Sequence, residues 1–594
     1  MFFRHLFMVA GMRASVSENR SYRLLRLWPA WLLVACILIA RFGTGSVDDG
    51  PATLWMIPAF GPFLCSFLIL LLWLFASRAT GRERLVGFFG MIVAIVMTVV
   101  LAHPTMRGPA TTMLIVPMAV VGFVIGATIG NSWLSPRRTL LALLLGTIGA
   151  SYSLTLRSEG MWGDDLSNEY AWRWKKTTEQ QLVESTSSVL STRKPSMDPA
   201  LFAGLAQPEW PGFRGPDRSG IQRGTKLATT WETQPPKELW RINVGPAWSS
   251  FVVAGKLLFT QEQRGDQEAV LCYHADTGEE VWKHSVEERF DEPLGGPGPR
   301  ATPTLHEGAL YVMGASGWLQ RLDARSGNLT WTQDLRQVAN RKPPMWGFAS
   351  SPLIVNGLVI VYAGGEVDKG TVAFDCASGK LRWSAPAGND SYASPHLCYL
   401  GGKSYVTMPT NLGFDLLDPT TGQVALAYDW SHKGYRSMQP IVVAGDSLVI
   451  PSGMGSGTRR IRITPNESGI DTRDLWTSRR LKPDFNDCVS FEGNLYGFDN
   501  SIFTCVSLED GERQWKGGRY GKGQVLLLED SRLLLVASER GDIVLLRADP
   551  ASHQEVARFQ VFDSKTWNPP VVIGDRLYHR NAEQAVCYQL PLAD

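Results

Sequence analysis

The feature that most limits how this chain can fold is a motif that recurs eight times in its C-terminal two-thirds. In the clear copies a turn with Asp or Thr leads to a glycine, and a tryptophan follows four residues later, as in ADTGEEVW ending at Trp282. The copies end at Trp240, Trp282, Trp331, Trp383, Leu426, Trp476, Trp515 and Ala557. A period of about 40–50 residues, with about four short strands in each unit, is typical of β-propeller blades.

A second series of short hairpins supports the same period. Apolar runs flank a turn in VVAGKLLF, HEGALYV, VNGLVIV and five further copies, and such turns between apolar runs are hairpin signals. The two series are offset, because Trp240 precedes the first hairpin and no tryptophan strand follows the last one. We therefore predict that the strand at Trp240 pairs with the strand AVCYQL near the C-terminus. Such pairing completes an eighth blade and removes open sheet edges.

The recurring tryptophans have two interpretations. We favour a structural role in which each one packs between neighbouring blades, and the alternative is an aromatic stripe that lines a ligand site. The predicted blade-docking residues are Trp240, Trp282, Trp331, Trp383, Trp476 and Trp515.

A polar residue recurs where the innermost strand of each blade is expected to begin, beside the central channel. These residues are Ser250, Thr302, Ser351, Ser394, Gln439, Asp487 and Gln524, which we call the polar ring. One interpretation is that their side chains satisfy backbone groups at the strand ends. The other is that they form a polar funnel that binds a small ligand or a partner's peptide, because pockets at such mouths commonly bind ligands.

The first part of the chain carries five apolar segments, at about residues 24–42, 52–76, 85–102, 111–130 and 139–156. Each approaches the length that a helix needs to cross a hydrocarbon core of ~30 Å. Proton relays and ion pathways usually need charged groups inside the membrane, and no carboxylate or lysine lies in the middle of these segments. We therefore predict an anchor in the lipid bilayer rather than a transporter.

Loop charges predict the orientation, because cytoplasmic loops carry the excess of Arg and Lys. The arginine-rich stretches are the N-terminus, the loop between the second and third segments, and the loop between the fourth and fifth segments, and all three fall on one side. They hold Arg4, Arg13, Arg20, Arg23, Arg26, Arg78, Arg82, Arg84, Arg137 and Arg138, whereas the other loops hold Asp48, Asp49 and Arg107. We predict a cytoplasmic N-terminus and a propeller outside the cytoplasmic (inner) membrane, in the periplasm.

Several kinds of site are not indicated by the sequence. The eight cysteines include no C-x-x-C pair, so we predict buried free thiols and no zinc site. The formal net charge is +2 and no stripe of basic residues stands out, so the sequence does not indicate nucleic-acid binding. GMGSG at residues 453–457 lacks the following helix of a phosphate loop. We assign no catalytic and no metal-binding residue.

The tryptophan-docked turn A-x-D-x-x-T-G-x-x-x-W resembles the repeat of the pyrroloquinoline-quinone-like (PQQ-like) propellers. YAWRW at residues 170–174 and WPGFRGPDRSG at residues 210–220 are similar to the segments that lead into membrane-anchored propellers of this kind, abundant in planctomycetes. The family includes quinoprotein dehydrogenases and the propeller lipoprotein of the outer-membrane assembly machinery. The resemblance implies an eight-bladed propeller in the periplasm.

The predicted organisation is a cytoplasmic tail at 1–23, a transmembrane region at 24–156, a polar linker at 157–209 and an all-β eight-bladed propeller at 210–594. We favour a non-catalytic binding or scaffolding module for a periplasmic or envelope protein, or for a small ligand, with no cofactor. The alternative is a dehydrogenase that uses PQQ with calcium, oxidises sugars or alcohols and reduces the membrane quinone pool. Membrane-bound enzymes of that family resemble this layout, but no calcium ligands or aspartate base can be placed at a matching motif.

Overall fold

The structure of the chain is a computed structural model that describes residues 24–42, 52–189, 199–443, 445–467 and 469–593. The predicted tail at 1–23 and the loop with Asp48 and Asp49 lie outside the described residues. The chain divides into two compact units. One contains Met1–Ser158 and Tyr170–Trp174, and the other contains Glu159–Glu169 and Lys175–Asp594.

The first unit contains five α-helices at the predicted apolar segments. They are α1 (Trp28–Phe42), α2 (Ala52–Ala76), α3 (Gly81–Leu101), α4 (Val116–Ile129) and α5 (Ser135–Ser151), with a π-helical turn at Thr111–Ile115 and 3-10 turns at Pro104–Met106, Gly130–Ser132 and Tyr152–Thr155. Among the residues that the structure describes, three stretches are long and apolar enough to cross a membrane: Ile57–Ala76, Gly81–Leu101 and Thr111–Ser132. They are consistent with a membrane anchor, but five crossings are not confirmed, because α1 is only 15 and α5 only 17 residues long.

Helices α4 and α5 approach each other along a row of glycines. A Cβ atom on Gly126 would lie 2.7 Å from the Ala142 Cα, and one on Gly122 would lie 2.3 Å from the Leu145 carbonyl oxygen. Small residues at such spacing let two helix backbones pack closely in an apolar environment.

A buried ion pair joins the starts of α3 and α5. Thr80 caps α3 together with Glu83, which also accepts hydrogen bonds from Arg138 at 2.7 and 2.9 Å. The second and fourth interhelical loops therefore lie at the same end of this unit, as the prediction of orientation requires. The orientation itself stays a prediction.

The predicted linker at 157–209 contains regular structure. It holds a hairpin of β1 (Leu156–Met161) and β2 (Asn168–Trp172), the helix α6 (Thr178–Val189) and a 3-10 helix at Pro199–Ala206. Two strands follow, β3 (Ile221–Gln222) and β4 (Lys237–Asn243).

The second unit is an eight-bladed propeller in which each blade has four antiparallel strands, described from the innermost strand outward, and β3 adds a parallel fifth strand to the sheet of blade 7. Blade 1 has β5 (Val252–Ala254), β6 (Leu257–Arg264), β7 (Gln267–His274) and β8 (Glu280–Val286). Blade 2 has β9 (Thr304–His306), β10 (Ala309–Met313), β11 (Trp318–Asp323) and β12 (Leu329–Asp334), followed by the short helix α7 (Leu335–Val338). Blade 3 has β13 (Leu353–Val355), β14 (Leu358–Tyr362), β15 (Thr371–Asp375) and β16 (Leu381–Ala385). Blade 4 has β17 (His396–Leu400), β18 (Lys403–Thr410), β19 (Gly413–Leu417) and β20 (Val424–Asp429).

The remaining blades follow the same order. Blade 5 has β21 (Ile441–Val443), β22 (Ser447–Ser452), β23 (Gly457–Asn466) and β24 (Gly469–Ser478). Blade 6 has β25 (Val489–Phe491), β26 (Asn494–Asp499), β27 (Ile502–Ser507) and β28 (Arg513–Arg519). Blade 7 has β29 (Gln524–Leu528), a 3-10 turn at Glu529–Ser531, β30 (Leu533–Ala537), β31 (Asp542–Arg547) and β32 (Glu555–Gln560). Blade 8 has β33 (Val571–Ile573), β34 (Arg576–Arg580), β35 (Gln584–Gln589) and, as its outer strand, β4.

The predicted closure of the ring of blades is confirmed. Strand β4 pairs antiparallel with β35, and Trp240 lies opposite Cys587. The apolar side chains of neighbouring blades form buried clusters between the sheets, which hold the second unit together. All eight cysteines are free thiols. We call the face where the innermost strands begin the upper face, and the opposite one the lower face.

Candidate functional site at the central channel

Six of the seven predicted residues of the polar ring lie just before the innermost strands of blades 1–6, Gln524 is the first residue of β29 in blade 7, and each of the seven is only 2–5% exposed. Their side chains link one blade to the next. The amide of Ser250 donates to Thr302 Oγ1 at 3.0 Å, and that of Thr302 donates to Ser351 Oγ at 3.0 Å. The amide of Ser351 donates to Ser394 Oγ at 2.9 Å. These bonds satisfy backbone groups at the strand starts, as the structural interpretation expects.

The polar ring has an eighth member that the sequence analysis missed. Asn568 precedes the innermost strand of blade 8, is fully buried and donates to Ser249 O at 2.7 Å, which joins blade 8 to blade 1. Gln524 in blade 7 accepts from the Asp487 amide at 3.0 Å and donates to Trp567 O at 3.0 Å. A proline directly follows Asn568, as it follows Thr302, Ser351, Ser394 and Gln439. This proline was the signal in the sequence that could have identified Asn568. Ligand binding by the polar ring stays a prediction.

The six predicted blade-docking tryptophans make one recurring contact. The indole N–H of each donates to a carbonyl oxygen in the outer turn of the next blade, at 2.8–3.3 Å. The turn glycine packs against the indole: a Cβ atom on Gly379 would lie 2.6 Å from Trp331. This geometry fits the structural role rather than a stripe that lines a ligand site.

The lower end of the channel is occupied by residues 210–222, which we call the channel segment. Trp210 pairs with Val253 in blade 1, and Pro211 O accepts from the Leu305 amide in blade 2 at 2.8 Å. At its other end β3 pairs in parallel with β29 of blade 7. The channel segment therefore covers free inner edges of blades 1, 2 and 7.

Two arginines of the channel segment extend to opposite walls of the channel. Arg214 forms a buried ion pair with Asp487 of the polar ring and donates to Cys488 O in blade 6 at 2.9 Å. Arg218 donates to Ser351 O at 3.0 Å and to Pro352 O at 2.9 Å in blade 3. Burial raises the pKa of the Asp487 carboxyl, although Arg214 opposes that effect. WPGFRGPDRSG stood out in the sequence as a family resemblance, but its two arginines were not predicted as channel residues.

The upper end of the channel holds a lysine between two tryptophans. Lys565 Nζ lies 4.3 Å from the centre of the Trp567 ring and 5.3 Å from that of Trp248. It donates to Met161 O at 3.1 Å and Leu294 O at 3.4 Å, and burial lowers its pKa to about 8. Residues 161–163 thus lie over this side of the upper face.

Glu539 in blade 7 holds this arrangement in place. Its carboxylate accepts from the Trp567 indole at 2.8 Å, from the Lys522 amide at 3.0 Å and from the Gly163 amide. Burial raises the pKa of Glu539. Asp164 and Asp165 extend the contact through ion pairs with Arg519 and Arg540.

Blades 3–5 present a different surface on the same upper face. Their loops expose four apolar side chains: Met345 (66%), Val367 (88%), Leu412 (55%) and Met454 (57%). Beside them Trp346, Tyr392 and Tyr435 contact one another with ring centres 4.6–5.2 Å apart. We call these seven residues the apolar rim. Exposed apolar side chains that cluster in this way commonly mark interaction sites.

Within the part of the chain that the structure describes, no group of three or more His, Cys, Asp or Glu side chains could hold a metal ion. A calcium ion prefers six to eight oxygen ligands, several of them carboxylates. Glu539, a carboxylate at the upper end of the channel, already accepts three hydrogen bonds from the protein. Binding of PQQ with calcium stays a prediction of the alternative interpretation.

A family model described as outer membrane protein assembly factor BamB matches residues 233–451 and 343–517. No curated protein matches the chain. Among solved structures, BamB from Moraxella catarrhalis is 16% identical, with a TM-score of 0.44, 60% of this chain and 100% of that chain covered. The quinohemoprotein alcohol dehydrogenase ADHIIG from Pseudomonas putida HK5 is 12% identical, with a TM-score of 0.46 and coverage of 68% and 84%. At these TM-scores the two structural similarities support no conclusion about function.

Proposed function

The chain carries a PQQ-like β-propeller, and on that premise we propose that it is a membrane-anchored, non-catalytic binding module. Its partner would be a periplasmic or envelope protein that docks on the apolar rim. The observation that carries the proposal is the exposure of Met345, Val367, Leu412 and Met454 on one side of the upper face. Met and aromatic side chains adapt to a partner's surface and are enriched in protein interfaces.

The surroundings of the apolar rim also suit a protein partner. Exposed charges of both signs border it, such as Lys342 and Lys433 on one hand and Glu366 and Asp429 on the other. An apolar centre with a polar border is the usual anatomy of a protein interface. The neighbouring part of the same face, over blades 6–8, already binds a peptide of this chain through Glu539, Arg519 and Arg540.

Site-specific photo-crosslinking in the membranes of the source cells tests this proposal. A photoreactive amino acid at Leu412 or at Met454 should give one adduct of defined mass. The same residue at Tyr399, which is 64% exposed but outside the apolar rim, should not give that adduct. Met345→Lys should remove the adduct at Leu412, because a buried unpaired charge is costly. Equal adducts at Tyr399, or none at the apolar rim, would contradict the proposal.

The alternative is the PQQ-dependent dehydrogenase. The observation in its favour is the pair of tryptophans at the upper end of the channel, with Trp248 and Trp567 ring centres 4.8 Å apart, since aromatic faces can stack on a planar quinone. Lys565 and residues 161–163 lie against this pair, which weighs against it. Two measurements on the full chain distinguish the dehydrogenase from the binding module. They are titration with PQQ and calcium, and then dye-linked oxidation of sugars and alcohols. Saturable binding of PQQ with turnover would show that the protein is an oxidoreductase and would contradict the proposed binding module.

We further propose that the chain is located in the inner membrane and that its propeller lies in the periplasm. The loop charges and the three apolar helices support this placement. Protease added to spheroplasts should cleave the propeller, and protease added to inverted membrane vesicles should not. The opposite pattern would place the propeller in the cytoplasm.

A further inference from the structure

The channel segment leaves one side of the lower channel uncovered. It pairs with the innermost strands of blades 1, 2 and 7, and its arginines reach blades 3 and 6. Strands β17 and β21, the innermost strands of blades 4 and 5, receive no hydrogen bond from it among the described residues. Several residues of these two strands stay partly accessible, including all three of β21. The open side of the lower channel therefore lies beside blades 4 and 5.

This open side carries an unbalanced positive charge. Arg214 is neutralised by Asp487, but Arg218 forms no ion pair with any residue that the structure describes. The nearest carboxylate in sequence, Asp217, is engaged by Ser219 and by Arg223 at 3.1 Å. Burial and the charge of Arg214 lower the pKa of Arg218 to about 9. A partly buried cation without a counter-charge is costly, and an anion beside it would lower that cost.

Three polar atoms point to the same region. Arg218 Nε, His396 Nδ1 and Gln439 Oε1 are buried and have no hydrogen-bond partner among the described residues. His396 is the first residue of β17, and Gln439 precedes β21. Burial and the charges of Arg218 and Arg214 lower the pKa of His396 to about 3, so the imidazole is neutral at physiological pH. Buried polar atoms normally have partners, so such a group of exceptions indicates a ligand.

The backbone of the channel segment is held in an unfavourable conformation at both arginines. Arg214 has a φ of 63° and Arg218 a φ of 56°, the left-handed region that non-glycine residues rarely adopt. Strain of this kind costs about 1–3 kcal/mol and clusters at ligand-binding sites.

We propose that the channel binds a small oxyanion, a phosphate or a carboxylate, between Arg218 and the starts of the innermost strands of blades 4 and 5. The planar guanidinium supplies charge and N–H groups in a geometry that matches such anions. His396 contributes a neutral N–H from Nδ1. Gln439 Nε2 already donates to Ser394 O at 3.3 Å and to Pro395 O at 3.2 Å, so its free Oε1 accepts from the hydroxyl of a protonated phosphate. This site uses none of the residues of the apolar rim, so its test is independent of the proposed partner.

Calorimetric titration of the full chain in detergent with inorganic phosphate, and separately with acetate, tests the proposal. We expect saturable binding of at least one of the two anions. Arg218→Gln should weaken it about tenfold or more, since a charge-assisted bond becomes a neutral one. The matched control is Arg223→Gln in the next turn of the chain, whose guanidinium pairs with Glu529 at 2.8 Å and which should leave binding unchanged.

Gln439→Glu provides a second variant that keeps Arg218. It places a negative charge at the site and should abolish anion binding even if Arg218→Gln fails to fold. Binding of phosphate alone would identify a phosphate group as the ligand, and binding of acetate would identify a carboxylate. The proposal is overturned if the folded wild-type chain binds neither anion up to about 10 mM. It is also overturned if both variants bind as the wild type does.

Discussion

Glu268 shows how one buried side chain can make the stability of the propeller depend on pH. It lies in β7 of blade 1, is 4% exposed and accepts a hydrogen bond from the Ser316 amide of blade 2 at 3.3 Å. Burial raises its pKa to about 7, and Glu288 adds to that effect. The unfolded chain has an ordinary carboxyl pKa, near ~4.3. Between these two values the folded chain binds the extra proton, so stability falls as the pH rises from about 4.5 to 7.

Replacing Glu268 by glutamine should therefore stabilise the protein at high pH. Glu268→Gln should raise the melting temperature at pH 8, with a gain of at most about 4 kcal/mol in unfolding free energy, and should change it little at pH 5. Thermal unfolding of the full chain in detergent at both values measures this. Glu366→Gln, at an exposed carboxylate, is the control and should show no such difference. A lower melting temperature of Glu268→Gln at pH 8 would contradict the prediction.

Single residues also mark the limit of prediction from the sequence. The positions of Ser250 and Thr302 before successive innermost strands follow from the repeat. Their bond, in contrast, joins residues 52 positions apart, and one sequence does not show which neighbour accepts it. Arg218 and His396 belong to different parts of the chain and meet only because the channel segment turns into the propeller. Periodicity predicts where strands lie, whereas such contacts depend on the path of an irregular segment.

At the scale of secondary-structure elements, every blade has a β-bulge between its two outer strands. The shift in register lies next to the docking position. In blade 3 it falls between Ala373, which lies opposite Trp383, and the following residue Phe374. It persists in blades 4 and 7, where Leu426 and Ala557 replace the tryptophan. The sequence predicted both copies, Leu426 after the turn DPTTG and Ala557 after a turn in which His553 replaces the glycine. The bulge explains why they still fit, because the strand geometry does not depend on the indole.

Docking of the indole on the next blade can be tested with two glycines of blade 3. Gly379 and Gly357 have φ values of 70° and 72°, so alanine costs about 1 kcal/mol of strain at either one. Only at Gly379 would the Cβ meet an indole, that of Trp331, at 2.6 Å. Gly379→Ala should thus lower the unfolding free energy by a further 1–3 kcal/mol or so. Equal melting temperatures of the two variants would mean that the docking contact contributes nothing.

The close approach of α4 and α5 makes a similar prediction for the helical unit. Gly126→Leu should separate the two helices, since its Cβ would lie 2.7 Å from the Ala142 Cα and backbone cannot yield as a side chain can. We expect the variant to unfold at lower denaturant concentration in detergent, measured by the loss of helical circular dichroism. Gly81→Leu, whose Cβ meets nothing within 4 Å, is the control. If both variants unfold alike, the glycine row is not what holds these helices together.

At the scale of the whole molecule, the ring of blades is closed by strands from the two ends of the propeller. The repeat predicted this closure, because the tryptophan series and the hairpin series are offset by one strand. The sequence did not show that a segment of the chain enters its own channel, since residues 210–222 carry no periodic pattern. It likewise predicted five membrane crossings, of which three meet the length and apolarity required. Repetition is therefore well predicted, and the segments between repeats are not.

A disulfide that joins the two chain ends in blade 8 should stabilise the propeller more than a disulfide at the equivalent place in a blade formed by consecutive strands. Asn243 and Gln584 lie opposite each other at the closure, and Gln560 and Asp542 occupy the equivalent place in blade 7. The first pair closes a loop of several hundred residues and the second a loop of fewer than twenty, so the entropy lost by the unfolded chain differs by about 2–3 kcal/mol.

The measurement compares the oxidised and reduced forms of each double-cysteine variant, which cancels the cost of the substitutions themselves. Oxidation of Asn243→Cys/Gln584→Cys should raise the melting temperature clearly more than oxidation of Gln560→Cys/Asp542→Cys. If the ring of blades opens at the closure before the blades unfold, the first disulfide also blocks that opening, and its effect should exceed the entropic difference. An equal shift for the two pairs would mean that the blades unfold one by one, without reference to the closure.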